Sequence, residues 1–130
     1  MIVAFDVGLK RIGVAISPNG ALALPSEPIL RKNRNQAARE ASEFLRERGA
    51  QKLVVGLPKG GASQEEMERR IKHFVSLLEF SGEICYQDES FSSVEAKEFA
   101  LKSTKKGGVN EKFDSVAAMI ILERFLAKNG

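Results

Sequence analysis

A chain of 130 residues that is 43% hydrophobic and 28% charged has the make-up of a globular domain with a core of its own, which excludes disordered and membrane-embedded classes. Twenty Lys and Arg against 17 Asp and Glu give a net charge of +3 and a pI near 9.1, which permits a polyanionic partner without demanding one. One cysteine, Cys85, excludes an internal disulfide, and with one histidine, His73, a structural zinc site is excluded as well.

Residues 2–5, Ile-Val-Ala-Phe, are continuously apolar, as expected of a central strand covered on both faces. Gly8 allows a turn, and residues 12–16 follow as a second strand. Pro18-Asn19-Gly20 is a turn signal, after which a third strand is predicted over 21–24, resuming at 29–30. Pro25 and Pro28 remove ladder donors, so this strand belongs at an edge. The period then changes to helical over 35–48, where Ala37, Ala38, Ala41, Phe44 and Leu45 share a face and Gly49 provides the stop. Residues 53–56 form a buried strand ended by Pro58. Ser63 and Glu66 read as a capping box for a helix that buries Met67, Ile71, Phe74, Val75 and Leu78 and closes at Ser81-Gly82. Residues 83–87 give the fifth strand, in which Cys85 is expected as a small buried hydrophobe and not a reactive thiol. A second capping box, Ser92 and Glu95, opens a helix to about residue 102. Residues 103–112 are polar, basic and glycine-bearing, hence a mobile surface loop, and a final helix begins near Asp114 with Val116, Ala117, Ile120 and Ile121 on one face.

Tight turns make the first three strands an antiparallel meander, and helical crossovers make the later strands parallel. The expected fold is α/β, a five-stranded mixed sheet (strands 1–3 antiparallel, 1-4-5 parallel) with helices on both faces and strand one in the centre. Neither a repeat nor a linker divides the chain, so residues 1–130 read as one domain. The N-terminus lacks the pattern of a signal peptide, and no apolar run approaches the ~20 residues that span a bilayer, so a cytoplasmic location without membrane attachment is expected.

In such a sheet, strands one, four and five present their C-terminal ends along one edge, where ligand crevices form. Three groups of acids are expected there: Asp6 after strand one, Asp88-Glu89 after strand five, and Asp114 at the last helix. Singly, each has a plain structural use, as a turn residue, a solvated pair or an N-cap. Together they form a hard-oxygen set suited to Mg²⁺ or Mn²⁺. Lys10, Arg11, Lys59 and the lysines of the basic loop, Lys105, Lys106 and Lys112, lie nearby in the predicted topology and would engage phosphates. Gly56-Leu57-Pro58-Lys59-Gly60-Gly61 has the glycines of a phosphate-binding loop, but Ala62 stands where its lysine would be. His73, flanking Phe74 in its helix, reads as a surface or boundary side chain.

Residues 4–15, Ala-Phe-Asp-Val-Gly-Leu-Lys-Arg-Ile-Gly-Val-Ala, resemble the opening signature of the YqgF (RuvX-like) family, whose folds are RNase H-like. Val54-Val55-Gly56-Leu57-Pro58, then Asp88-Glu89 with Ser93-Val94-Glu95-Ala96, then residues 112–118 and Ile121-Leu122 resemble its later blocks, in order, over essentially the whole chain. The resemblance implies a nuclease that processes the 5′ end of precursor 16S ribosomal RNA, with Holliday-junction resolution as an alternative. It implies Asp6, Glu89 and Asp114 as catalytic, metal-binding acids, and makes Asp88 the less suitable of its pair. Ser90 departs from the family pattern, which has arginine there, and so removes a phosphate contact or a restraint on the neighbouring acid.

The expected chemistry is phosphodiester hydrolysis with two ions about 3.5–4 Å apart, Asp6 bridging them. The expected partners are precursor rRNA, a ribosomal precursor particle or branched DNA, with the oligomeric state open. Three rivals stand beside this reading: a resolvase, which calls for a dimer; an ATP-dependent phosphotransferase, which uses a similar Asp-x-Gly hairpin but closes two such domains; and a non-catalytic RNA- or ribosome-binding module. If the basic loop holds phosphates, replacing Lys105 and Lys106 by alanine weakens RNA binding and flattens its salt dependence, measured by titration at low and moderate salt.

Overall fold

The computed structural model describes the backbone of residues 1–58, 64–88 and 109–129, and the side chains of these except 109–114 and 129. The elements are β1 (Ile2–Val7), β2 (Arg11–Ser17), β3 (Leu24–Leu30), α1 (Arg34–Glu47), β4 (Lys52–Leu57), α2 (Gln64–Ser76), β5 (Glu83–Asp88) and α3 (Val109–Asn129). The five strands form one sheet in the order β3-β2-β1-β4-β5, with β1–β2 and β2–β3 antiparallel and β1–β4 and β4–β5 parallel. The expected topology is therefore the observed one, with β1 in the centre and the proline-bearing β3 at an edge.

Alternation along the strands divides the core in two. Val3 and Phe5 of β1, Ile12 and Val14 of β2, and Leu53, Val55 and Leu57 of β4 pack against α1 and α2. On the opposite face Ala4, Ala15, Ala23 and Val54 meet Ala118, Ile121, Leu122 and Phe125 of α3. The residues facing α3 are small, so that helix can lie close to the sheet. Helices cover both faces, as expected.

Several boundaries differ from the expectation. β3 runs through Pro25 and Pro28 without a break, and its register against β2 slips by one residue between Ile12 and Val14, so the stretch holding Pro28 bulges at an edge where its missing N–H costs no ladder bond. α1 starts one residue early because Asn33 accepts from the Gln36 N–H at 2.8 Å while the Gln36 side chain answers to Asn33 N–H, a capping box the periodicity did not show. It stops where expected, with Gly49 at φ +63°. α2 ends at Ser76, ahead of Ser81-Gly82, as Leu77 and Leu78 N–H groups turn back to Phe74 and Val75 carbonyls. Met67 was expected in the core but is 43% exposed, since α2 buries Ile71, Phe74 and Val75 and turns Met67 outward. Of the expected α2 capping box, Ser63 lies outside the described residues, and the Glu66 carboxylate instead accepts from Arg70 one turn on. The helix expected over 92–102 also lies outside them.

The last helix brings the largest change. α3 begins at Val109, five residues before Asp114, because Gly107 and Gly108 are the last glycines or prolines before residue 130 and nothing from 109 to 129 breaks a helix. Lys112, expected in the basic loop, is therefore a helical position, and Asp114 stands inside α3 and does not begin it. The Ser115 hydroxyl donates to the Ser26 carbonyl and so fastens α3 to β3.

The Asn33 cap is exposed, and its loss leaves one helix-start amide to water. Asn33→Ala should lower stability by about 1 kcal/mol, read as a thermal midpoint about 4 °C lower.

Candidate active site at the carboxyl edge of the sheet

Asp6 is the fifth residue of β1 and lies opposite Gly13 of β2. It has the parity of Ile2 and Ala4, so it belongs to the face that α3 covers. On its other flank β4 reaches Gly56 two residues beyond the Ala4–Val54 pair. Positions without a Cβ, Gly13 and Gly56, therefore border the half-buried Asp6 on both neighbouring strands.

The direction of α3 over this face follows from contacts along its length. Phe125, late in α3, stacks under the Lys52 ammonium at 5.5 Å, at the start of β4. The beginning of α3 thus points to the opposite end of the sheet, where β1 delivers Asp6. Ser115 bonds to Ser26, which pairs with Val14, which pairs with Phe5, so the helix passes residue 115 at the level of the residue just before Asp6. By helical spacing, position 114 precedes Ala118 by one turn on the stripe that continues through Ile121, Leu122 and Phe125 to the sheet.

Asp88 closes β5 opposite Leu57 and is exposed. It shares parity with Ile84, which packs in the α1/α2 core, and with Tyr86, which lies 5.7 Å below Lys72 of α2. Asp88 is thus on the side away from Asp6. Cys85 and Gln87 have the parity of the α3 face. Gln87 is buried, donates weakly to the Asp88 carbonyl at 3.4 Å, and is a polar group on this face that strand patterning gave no reason to select.

The turn after Asp6 is tightly held. Gly8 N–H donates to the Arg11 carbonyl at 3.0 Å, and Arg31 reaches back from the end of β3 to clasp it twice, through its own N–H to Lys10 O at 2.9 Å and through Nη1 to Gly8 O at 2.8 Å. No sequence signal marked Arg31; its role depends on β3 ending beside the β1–β2 turn. Lys10 is exposed on this turn and Arg11 is half-buried at the start of β2. Glu89, Lys59, Lys105 and Lys106 lie outside the described residues, and Lys112 and Asp114 are placed by backbone alone.

Among the described residues, no three His, Cys, Asp or Glu side chains gather as a metal-binding group. His73 is exposed on α2, on the far side of the sheet from Asp6. Cys85 is half-buried, and burial, followed by the nearby Glu83 carboxylate, pushes its thiol up, as suits an inert side chain and not a thiolate ligand. No helix among the described residues is long and apolar enough to cross a membrane.

Comparison with known proteins gives this geometry a family. The family described as "RuvX: Holliday junction resolvase" matches residues 1–128. The chain belongs to the RuvX family. A protein of Sulfurovum sp. (strain NBC37-1) is 60% identical over 126 residues, covering 95% of this chain and 96% of its own. One from Campylobacter jejuni subsp. doylei is 52% identical over 122 residues, covering 94% and 93%. Both carry the provisional name pre-16S rRNA nuclease. The fold of this RuvX-family chain resembles that of T. thermophilus RuvC, solved in complex with a Holliday junction substrate, with TM-score 0.62 at 14% identity over 99% of this chain and 96% of that one. It also resembles the Fowlpox virus resolvase solved with Holliday junction DNA, with TM-score 0.57 at 10% identity over 98% and 97%. At these identities the likeness is one of fold, RNase H-like as expected.

A Cβ at residue 8 would stand 2.6 Å from the Arg11 carbonyl oxygen, the atom that the residue 8 N–H already engages. Gly8→Ala should therefore force the turn open and cost about 1–3 kcal/mol in urea unfolding.

Proposed function

We propose that this RuvX-family protein is a divalent-metal-dependent nuclease of one domain, a hydrolase of phosphodiester bonds acting in 5′-end processing of precursor 16S ribosomal RNA in the cytoplasm. The observation that carries the reading is the setting of Asp6: the end of a doubly paired central strand, glycine positions on both sides, and the start of α3 overhead. The relatives named for that activity cover nearly their whole length with this chain, which supports carrying the activity over.

Asp6, Glu89 and Asp114 are the proposed acids. Asp88 shares the parity of Ile84 and Tyr86, away from Asp6, which favours Glu89 as the acid of that pair. Position 114 stands one helical turn before Ala118, which packs on the sheet, and this spacing supports Asp114. All three are hard-oxygen donors, and the strand neighbours of Asp6, Gly13 and Gly56, carry no Cβ, so the residues fit Mg²⁺ or Mn²⁺. When bound, a pair of such ions supplies hydroxide and stabilises the leaving oxygen. Asp6 contributes a charge held on the most constrained strand, so little reorganisation is needed when substrate arrives. Lys10 and Arg11 on the clasped turn, with Lys59, Lys105, Lys106 and Lys112, hold backbone phosphates without reading bases. A ribosomal precursor particle would then supply the choice of cleavage site.

Junction resolution is the second reading, favoured by the family's description and by the junction DNA in both similar structures. One experiment separates the readings: metal-dependent cleavage of precursor 16S rRNA and of a synthetic four-way junction, with wild type and Asp6→Asn. The expected result is Mg²⁺- or Mn²⁺-dependent cleavage of the rRNA that Asp6→Asn lowers by at least about a thousandfold, with the thermal melt unchanged or slightly raised as a carboxylate leaves the cluster. Cleavage retained by Asp6→Asn overturns the active-site assignment. Symmetric cutting of the junction alone establishes the resolvase, and binding without cleavage of either establishes a non-catalytic module.

A further inference from the structure

Behind the Asp6 turn, on the α1/α2 side of the sheet, lies an open pocket of about 660 Å³ that the proposed chemistry does not use. Its walls are Val7-Gly8-Leu9 of the turn, the end of β3 with the start of α1, and one side of α2. Arg31 and Arg34 enter from the first helix side and Arg69 and Arg70 from α2, with His73 beside them. Among the described residues of the lining the only acid is Glu66, and it is already paired with Arg70 at 2.6 Å.

Gathering four guanidinium groups around a concave space with one carboxylate is unfavourable by itself, because each cation raises the energy of the others. Arg31 registers this: partial burial lowers its pKa first, and the charges of Arg34 and Arg70 lower it further. It is also bonded to Gly8 O and lies 5.4 Å from the Phe74 ring centroid. Arg34 and Arg69 are exposed at opposite walls. Planar forks on two sides of an open cavity match an anion with oxygens pointing in several directions, as phosphate has.

The size of the pocket exceeds what one inorganic phosphate fills, and its mouth carries apolar surface as well. Leu9 is 72% exposed and Met67 43% exposed, both in the lining. Leu9 stands three residues after Asp6, and Val7, next to Asp6, is part of the wall. A chain molecule lying across the carboxyl edge at Asp6 can continue over the Gly8 turn into this pocket.

We propose that the Arg31–Arg34–Arg69–Arg70 pocket is a second nucleic-acid contact, which binds backbone phosphates of the strand that passes over the β1–β2 turn and sets that strand's path through the candidate active site. It rests on the nuclease reading for the identity of the anion and for the direction of the strand. Its ligand chemistry is the phosphodiester oxygen; the apolar rim takes ribose or base faces without selecting a sequence. Pyrophosphate or a free nucleotide would offer the same oxygens, so the test includes one.

The test measures binding without cleavage, in EDTA and in an Asp6→Asn background, so that a failure of the nuclease reading leaves it intact. The probe is a fluorescein-labelled single-stranded RNA of about 15 nucleotides, followed by anisotropy over a series of salt concentrations. Arg34→Gln/Arg69→Gln should weaken binding roughly tenfold at low salt and reduce the slope of log affinity against log salt by about 1.4, two phosphate contacts at ~0.7 each. Arg34→Lys/Arg69→Lys, which keeps the charge, should retain most of the slope and guards against misfolding of the glutamine variant. RNA affinity and slope equal to those of the parent in the glutamine variant overturn the proposal. Pyrophosphate binding, followed by calorimetry, that is lost in the glutamine variant while RNA binding persists also overturns it, and makes the pocket a small-anion site.

Discussion

β1 is hydrogen-bonded on both sides, antiparallel to β2 and parallel to β4, and is covered on both faces. Few positions in a small protein are so restricted. Any tilt of β1 would break two ladders and disturb two cores at once, so its end is a firm mount for a charged group. Asp6 uses that mount. The constraint extends to the turn beyond it, where Gly8 is too close to the Arg11 carbonyl to carry a side chain and Arg31 ties the turn to β3.

The two faces of the sheet are unequal, and the inequality has a functional consequence. Large side chains, Phe5, Ile12, Leu53 and Phe74 among them, fill the α1/α2 side. Small ones, Ala4, Ala15 and Ala23, line the α3 side and give way to Gly13 and Gly56 at the level of Asp6. Leu122, Ile121 and Phe125 fill the space that the alanines leave. On the thicker side the bulky core ends short of the edge, and the arginine pocket occupies the gap between α1, α2 and the turn.

Charge follows the same division. Asp6 belongs to the α3 face, while arginines collect on the other, with the Gly8 turn as the ridge between them. A polyanion meets attraction on one side and requires cations on the other. That arrangement suits a strand drawn over the ridge better than a small ligand enclosed in the arginine pocket.

Much of this could be read from residues in order along the chain. The apolar run at 2–5, the prolines at 25 and 28, and the switch to helical spacing after Asn33 determined strand number, sheet order and the central place of β1, because they reflect local backbone chemistry and burial on one or two faces. The family blocks identified Asp6 as the residue to examine. Boundaries were less legible: Val109 to Lys112 looks like a loop by composition, yet the helix that packs on Ala4 and Ala15 extends back through it, since propagation from an established helix needs only the absence of a breaker. Met67 shows the same limit, for its hydrophobicity says nothing of which way a short helix is turned. What the sequence alone determined was the set of elements and the acid at the end of the first strand. Only the tertiary structure decided that Asp88 faces away from Asp6, that Arg31 clasps the Gly8 turn, and that arginines from separate elements converge. Side-chain facing and long-range proximity arise when the sheet's two-residue period and the helix's 3.6-residue period meet across a packed interface, and neither period alone contains that relation.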